Sequence, residues 1–345
     1  MAGLWRLRLP LPFPGVPHCN AWAIAAGDGV VLVDTGMHEP GSMAELERSL
    51  AQVGLSLDQV RLLACTHAHV DHWGQAATIR DRAECEFWMH PNHRHGFATA
   101  TDPELALARR LEIGRQSGMS EAVLRRYAEH ARGMASGIAR VIEPDRPLVD
   151  GVEIQTDLGV WRVLETPGHA PSHICLFQAE RRLLISGDHL LGRISLYFDY
   201  GWTDDPIGEF LSSLDVTDKL GARLALSGHG KPFIDVHGHV EANRTLVRER
   251  LDSVLSAAGA ADHSTKAPPS GAADHSTKAP PSGAADHPTK TALEIAARVF
   301  GEELTETNTS WRLQETLCYL RHLEIEGLLV RESEGDLARW GGTPN

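Results

Sequence analysis

The stretch "THAHVDHWG", Thr66 to Gly74, sets His67, His69, Asp71 and His72 within six positions. All four are residue types that bind divalent ions, through imidazole nitrogen or carboxylate oxygen, at about 2.0 to 2.2 Å. The apolar run "VRLLACT" before it reads as a strand and "WGQAATIRDRA" after it as a helix, so the cluster falls on a strand-to-helix loop. A loop lets the consecutive Asp71 and His72 turn toward one centre that His67 and His69 approach from the strand end. The competing reading is a helix N-terminus capped by Asp71, with the histidines merely exposed.

Three other segments weigh against that plain reading. "ETPGHAPSH" carries His169, "LLISGDHLLG" carries Asp188 and "LALSGHGKP" carries His229. Each places a ligand-type residue just after a short apolar strand, beside a glycine that permits a tight turn. One histidine after one strand is more often structural. Three such placements together with a dense cluster supply enough donors for two ions.

In chain order, "VVLVDTG", "THAHVDHWG", "TPGHAPSH", "SGDH" and "SGHG" resemble the five motifs of the metallo-beta-lactamase superfamily, over residues 5–250. The resemblance implies an α/β fold, a four-layer αββα sandwich with the metals at one edge. It implies that His67, His69 and His169 hold one ion, that Asp71, His72 and His229 hold a second, and that Asp188 bridges them. Asp34 would be a carboxylate behind a ligand, orienting it. The implied cofactors are two divalent metal ions, zinc first, with iron or manganese as alternatives. Metal binding lowers the pKa of water from 15.7 to about 7, so no Ser or Cys nucleophile is required. Asp71 is then also the candidate catalytic residue, steering the proton. His69 stands where the diiron flavoproteins of this fold carry Glu, which favours a hydrolase over an oxygen-reducing enzyme. Two departures concern the third motif: Ala170 replaces a frequent Ser or Thr, and Ser172 stands near a frequent glycine.

Composition narrows the partners. With 33 basic against 46 acidic side chains, the formal net charge of -13 argues against a dedicated nucleic-acid binder. The apolar N-terminus "MAGLWRLRLPLPFPG" is broken by Arg6, Arg8 and prolines before a membrane span or signal core can form, so a cytoplasmic protein without membrane attachment is expected. The five cysteines are scattered and never form C-x-x-C, which suggests neither a disulfide framework nor a thiolate zinc site.

Three domains or segments are expected: a catalytic domain over 1–256 with a helical insertion at 103–140, a disordered linker over 257–290, and a winged helix over 291–345. The linker is read from "GAADHSTKAPPS" at 259–270, repeated at 271–282 and begun again at 283, which offers no apolar face to bury. Within 291–345 two helices precede the hairpin-like "GLLVRESEGDLARW", and ten acidic residues against five arginines suit packing or homodimerisation better than gripping phosphate.

The insertion carries seven arginines against four glutamates, an excess of cations in an acidic protein. Arg109 and Arg110 are therefore candidate contacts for an anionic substrate arm, against the alternative of a solvated face paired with its own glutamates. In "LYFDYGWTDDP", Tyr197 and Tyr200 are candidate walls of an apolar pocket. The pairing of sandwich and winged helix resembles the hydroxyacylglutathione-hydrolase-like subgroup, which implies a small acyl thioester as substrate and, less readily, a lactone. It is also similar to the mitochondrial beta-lactamase-like endoribonuclease, which keeps RNA cleavage as the alternative. A transcriptional regulator with a sensing sandwich is the third reading, and the complete ligand set disfavours it.

Overall fold

The computed structural model of the protein describes residues 1–13, 15–259, 289–301 and 308–343. The chain opens with strands β1 (Leu4–Phe13), β2 (Val16–Ala26) and β3 (Gly29–Val33), then helix α1 (Ser42–Gln52) and β4 (Val60–Ala64). A single turn α2 (Val70–Trp73), helix α3 (Ala76–Ala83) and β5 (Glu86–Met89) follow. The insertion forms α4 (Arg94–Thr101), α5 (Pro103–Gln116) and α6 (Glu121–Gly133), so it begins about one helix earlier than the arginine content suggests. Strands β6 (Arg146–Pro147), β7 (Glu153–Thr156), β8 (Gly159–Glu165), β9 (Ile174–Gln178) and β10 (Leu183–Gly187) lead to α7 (Pro206–Lys219), β11 (Leu224–Ser227) and the long α8 (Val236–Ala258). After the undescribed stretch come β12 (Lys290–Thr291), α9 (Ala292–Phe300), α10 (Thr309–Ile325) and the hairpin β13 (Leu329–Glu334) and β14 (Leu337–Gly342).

The first sheet runs β1-β2-β3-β4-β5-β6 and the second β11-β10-β9-β8-β7. In the first, β1 to β3 are antiparallel neighbours and β3 to β6 are parallel. Every residue of β3 is buried, as a central strand covered on both faces requires. One face of each sheet meets the other through Trp22, Ile24, Val31, Trp161, Val163 and Ile185. The outer face of the first sheet is covered by α1 and α3 through Leu46, Leu50 and Ile79, and that of the second by α7 and α8 through Phe210, Leu214, Val240 and Val247. The result is an α/β sandwich of four layers. Among the described residues, no helix is long and apolar enough to cross a membrane. All five cysteines are free and buried.

The chain beyond residue 289 packs onto this sandwich. Ile295 of α9, Leu317 and Leu320 of α10 and Trp340 of β14 belong to the same buried cluster as Phe210 and Val247. Of the linker expected at 257–290, residues 260–288 lie outside the described residues; residue 258 still closes α8 and Lys290 already pairs with Trp340. Helix α8 has no counterpart in the sequence reading above. Its buried Val236, Val240, Val247 and Val254 recur at helical spacing but are diluted by charged neighbours.

The two-sheet edge gathers the functional motifs. Asp34 follows β3, the Thr66–His72 loop follows β4, His169 sits between β8 and β9, Asp188 follows β10 and His229 follows β11. Loops at strand ends can be specialised while the strands hold their origins fixed.

Candidate metal centre

Two groups of donor atoms converge at this edge. His67 Nε2 and His169 Nε2 each lie 3.0 Å from His69 Nδ1. Beside them, His72 Nε2 lies 3.4 Å from His229 Nε2 and 3.6 Å from Asp71 Oδ2, and His229 Nε2 is 3.3 Å from the same oxygen. Donors bonded to one tetrahedral ion at about 2.0–2.1 Å stand about 3.4 Å apart, so both trios have the spacing of a coordination shell. Asp188 lies between them: Oδ2 is 3.0 Å from His229 Nε2 and 3.8 Å from His169 Nε2, and Oδ1 is 3.6 Å from His72 Nε2.

The far nitrogen of every imidazole is held by an acceptor, which turns the other nitrogen inward, toward the position an ion would take. His72 Nδ1 donates to Asp34 Oδ2 at 2.9 Å, His169 Nδ1 to the Tyr197 carbonyl at 3.0 Å and His229 Nδ1 to the His18 carbonyl at 2.9 Å. His67 Nδ1 donates to Thr66 Oγ1 at 3.0 Å, and that hydroxyl donates in turn to Asp34 Oδ2 at 3.0 Å. Asp34 thus serves two imidazoles, from a left-handed backbone with φ 66°. Burial and the neighbouring His69 bring the His169 pKa down to about 4, and burial lowers that of His67, so both rings are neutral near pH 7, as metal binding requires. Asp188 Oδ1 is buried without a hydrogen-bond partner among the described residues, which a cation would satisfy. Gly228 is required at the centre, since a Cβ there would collide with Asp188 Oδ1. These donors fit a pair of divalent ions.

The family description "Metallo-beta-lactamase superfamily" matches residues 14–229 of the chain. The chain belongs to the metallo-beta-lactamase superfamily. Its similarity to the probable metallo-hydrolase YqjP of Bacillus subtilis is 26% identity over 265 residues, covering 72% of this chain and 78% of that protein. A metallo-beta-lactamase family protein from Thermus thermophilus has a crystal structure that superposes with a TM-score of 0.78 at 25% identity, covering 99% of both chains. An atrochrysone carboxyl ACP thioesterase from Aspergillus chevalieri is 29% identical over 119 residues, which span 33% of this chain and 36% of that protein. The superfamily membership makes the chain a metallo-hydrolase type, and the His/Asp clusters supply the donors.

Behind the ligands of this superfamily member stands a second ring of side chains that no spacing in the sequence signals. His69 Nε2 donates to Asp199 Oδ2 at 3.0 Å, and His95 Nδ1 lies 2.9 Å from the same oxygen. His95 Nε2 is 2.8 Å from Ser172 Oγ, which accepts from the Ala68 amide at 3.0 Å. Burial lowers the His95 pKa, so its neutral ring donates to Asp199 and accepts from Ser172. The circuit leaves His69 and returns to the residue beside it. Ser172, one of the two departures in the third motif, is a working part of it.

The substrate candidates separate. The Tyr197 ring stands 5.5 Å from His69 and 5.7 Å from His169, with Trp311 of α10 at 6.5 Å. Trp311 is 46% exposed and Trp202, 6.1 Å from His95, is 43% exposed, which makes an aromatic rim around this side of the centre. Tyr200 instead packs against the buried cluster under α10, together with the fully buried Phe198. Arg109 and Arg110 are both exposed on α5; Arg110 is close enough for its charge to act on Tyr197, and donates to Thr99 Oγ1 at 3.0 Å. Most other insertion arginines meet acids: Arg115 with Glu112 and Glu121, Arg132 with Glu104, and Arg140 with Asp81.

Proposed function

We propose that the protein is a hydrolase dependent on two divalent metal ions, zinc first among the candidates, acting on a small acyl thioester. The observation that carries the reading is Asp188, seated between two imidazole-rich trios whose donor atoms are spaced as one ion each would require. His67, His69 and His169 hold one ion in this reading, Asp71, His72 and His229 the other, and Asp188 both. When bound, the ions supply Lewis acidity and a water whose pKa falls to about 7. Asp71 Oδ2 sits among the imidazoles of the second trio and is the group that holds and passes on the proton of the attacking water. Tyr197, Trp202 and Trp311 offer apolar faces for the acyl group, and Arg110 is near enough for its charge to reach Tyr197. The thioesterase among the relatives is consistent with the bond chosen.

The segment after residue 289 is, in this reading, a winged helix used as a wall of the site rather than as a grip on nucleic acid. Its acidic balance supports that use. A panel of thioesters, lactones and single-stranded RNA, assayed on metal-reconstituted protein, tests the proposal. Thioester turnover that His69→Ala and Asp71→Ala abolish together with bound metal is the expected result. RNA cleavage without thioester turnover would transfer the reading to an endoribonuclease.

A further inference from the structure

Of the seven insertion arginines that the sequence points to, Arg115, Arg132 and Arg140 are matched by carboxylates. Two arginines nearer His229 are not. Arg6 and Arg8 share one face of β1, two residues apart, with the buried Leu7 turned the other way. Arg6 Nη1 donates to the Gly230 carbonyl at 3.1 Å, and Arg8 Nη2 lies 3.3 Å from His18 Nδ1. Among the described residues neither guanidinium forms an ion pair with a carboxylate. Burial, followed by the charge of Arg8, lowers the pKa of Arg6, so like charges crowd here without an acid to offset them.

Their position relates them to the metal centre. Arg8 pairs in register with Asn20 of β2, next to Cys19, which bridges to His229. The His18 carbonyl holds His229 Nδ1, and His18 Nε2 is buried without a hydrogen-bond partner among the described residues. The group therefore borders His229 and Gly230, whereas the aromatic rim lies at His69 and His169. The two flanks of the centre differ in kind, one apolar and one cationic.

We propose that Arg6, Arg8 and His18 form an anion subsite on the His229 flank, which takes a carboxylate or phosphate on the thiol arm of the substrate. The proposal rests on the thioester reading for the word thiol, but not for the anion. It fixes an orientation: the acyl group lies on the aromatic rim, the scissile carbonyl over Asp188, and the charged arm along β1. Guanidinium groups bind either oxyanion through paired N–H donors.

The test compares Arg6→Gln/Arg8→Gln with the wild type on one acyl group carried by three thiols: coenzyme A for phosphate, glutathione for carboxylate and N-acetylcysteamine for neither. The KM for at least one charged thioester rises about tenfold or more, as loss of charge-assisted hydrogen bonds predicts. The N-acetylcysteamine ester and the bound metal stay unchanged, and the charged ester that suffers more identifies the oxyanion. Arg6→Lys/Arg8→Lys retains most of the preference. Equal effects on all three esters, or none, would overturn the proposal and leave the arginines as charges that protect an edge strand from pairing. If the wild type cleaves none of the esters, the thioester reading fails but the subsite is still read by calorimetric binding of 3′,5′-adenosine bisphosphate and S-methylglutathione. Affinity for both unchanged in the Gln double variant then refutes the subsite, and a tenfold loss for either supports it.

Discussion

His69 is gripped from both sides: its Nδ1 faces His67 and His169, while its Nε2 donates to Asp199, 130 positions along the chain. Groups of this kind behind a ligand cost about 10- to 100-fold in metal affinity when removed. Asp199→Ala should therefore weaken one of the two bound ions by that factor in chelator competition while leaving the other, and two equally weakened ions would refute the assignment of His69 to a single trio. The second trio carries a pH signature. Burial disfavours charge on His229, yet Asp188 and Asp71 outweigh it and raise its pKa from 6.5 to about 10. Burial likewise opposes the Asp71 carboxylate, yet His72 and His229 prevail and bring it from 3.8 down to about 2. In the metal-free protein the His229 contribution is complete below its ordinary pKa and fades as pH rises through about 10; that of Asp71 is complete above its ordinary pKa and fades as pH falls through about 2. Since a metal takes neutral imidazole, zinc titrated near neutral pH must expel the His229 proton. Calorimetry in buffers of differing ionisation enthalpy should show His229→Asn releasing about one proton fewer than the wild type; an unchanged count would mean the ring is already neutral. At this scale the dense "THAHVDHWG" was readable because six neighbouring positions carry four donors. Asp199 was not, because it reaches His69 only through folding and stands among aromatic residues that suggest a pocket wall.

The helices of the insertion separate arginines that a count puts together. Seven arginines in 103–140 suggest contacts for an anionic substrate arm, and of these Arg115 and Arg132 sit on exposed faces where Glu112, Glu121 and Glu104 meet them. Such fully exposed pairs add little, because water screens them and ordering two long side chains offsets the attraction. Arg115→Gln and Arg132→Gln should each leave the chemical-denaturation midpoint nearly unchanged and KM within about twofold. A large rise in KM for charged substrates alone would return the anion-binding role to the insertion. Pairing across two helices depends on their packing, which residue counts do not reveal. The strands were easier: "VVLVDTG" and "LLISGDHLLG" are apolar runs ended by glycine, and they became β3 and β10. Helix α8 escaped because its apolar stripe is only one valine wide per turn or two.

Over the whole molecule, the repeat-rich stretch suggests two bodies on a tether, whereas the packing joins its ends. Leu317 and Leu320 of α10 share a buried cluster with Phe210 of α7 and Val247 of α8. Tyr319 of the same helix stands 6.0 Å from Phe198, His322 Nδ1 is 3.0 Å from Asp205 Oδ1, and Arg321 Nε donates to the Asp204 carbonyl at 3.3 Å. Helix α10 thereby fastens the loop that carries Tyr197 and Asp199, and so reaches His69 through one intermediary. Apolar surface shared in this way unfolds together, since neither part keeps its buried face without the other. Leu320→Ala should cost about 2–5 kcal/mol, through lost burial and the cavity left behind. The loss should appear as a lower midpoint of one transition, reported alike by tryptophan fluorescence and far-ultraviolet circular dichroism. If the C-terminal segment were an independent domain, the same substitution would split the curve in two and leave the metal-dependent step where it was. A single shifted transition, with metal released at the same denaturant concentration, is the outcome that the shared core demands.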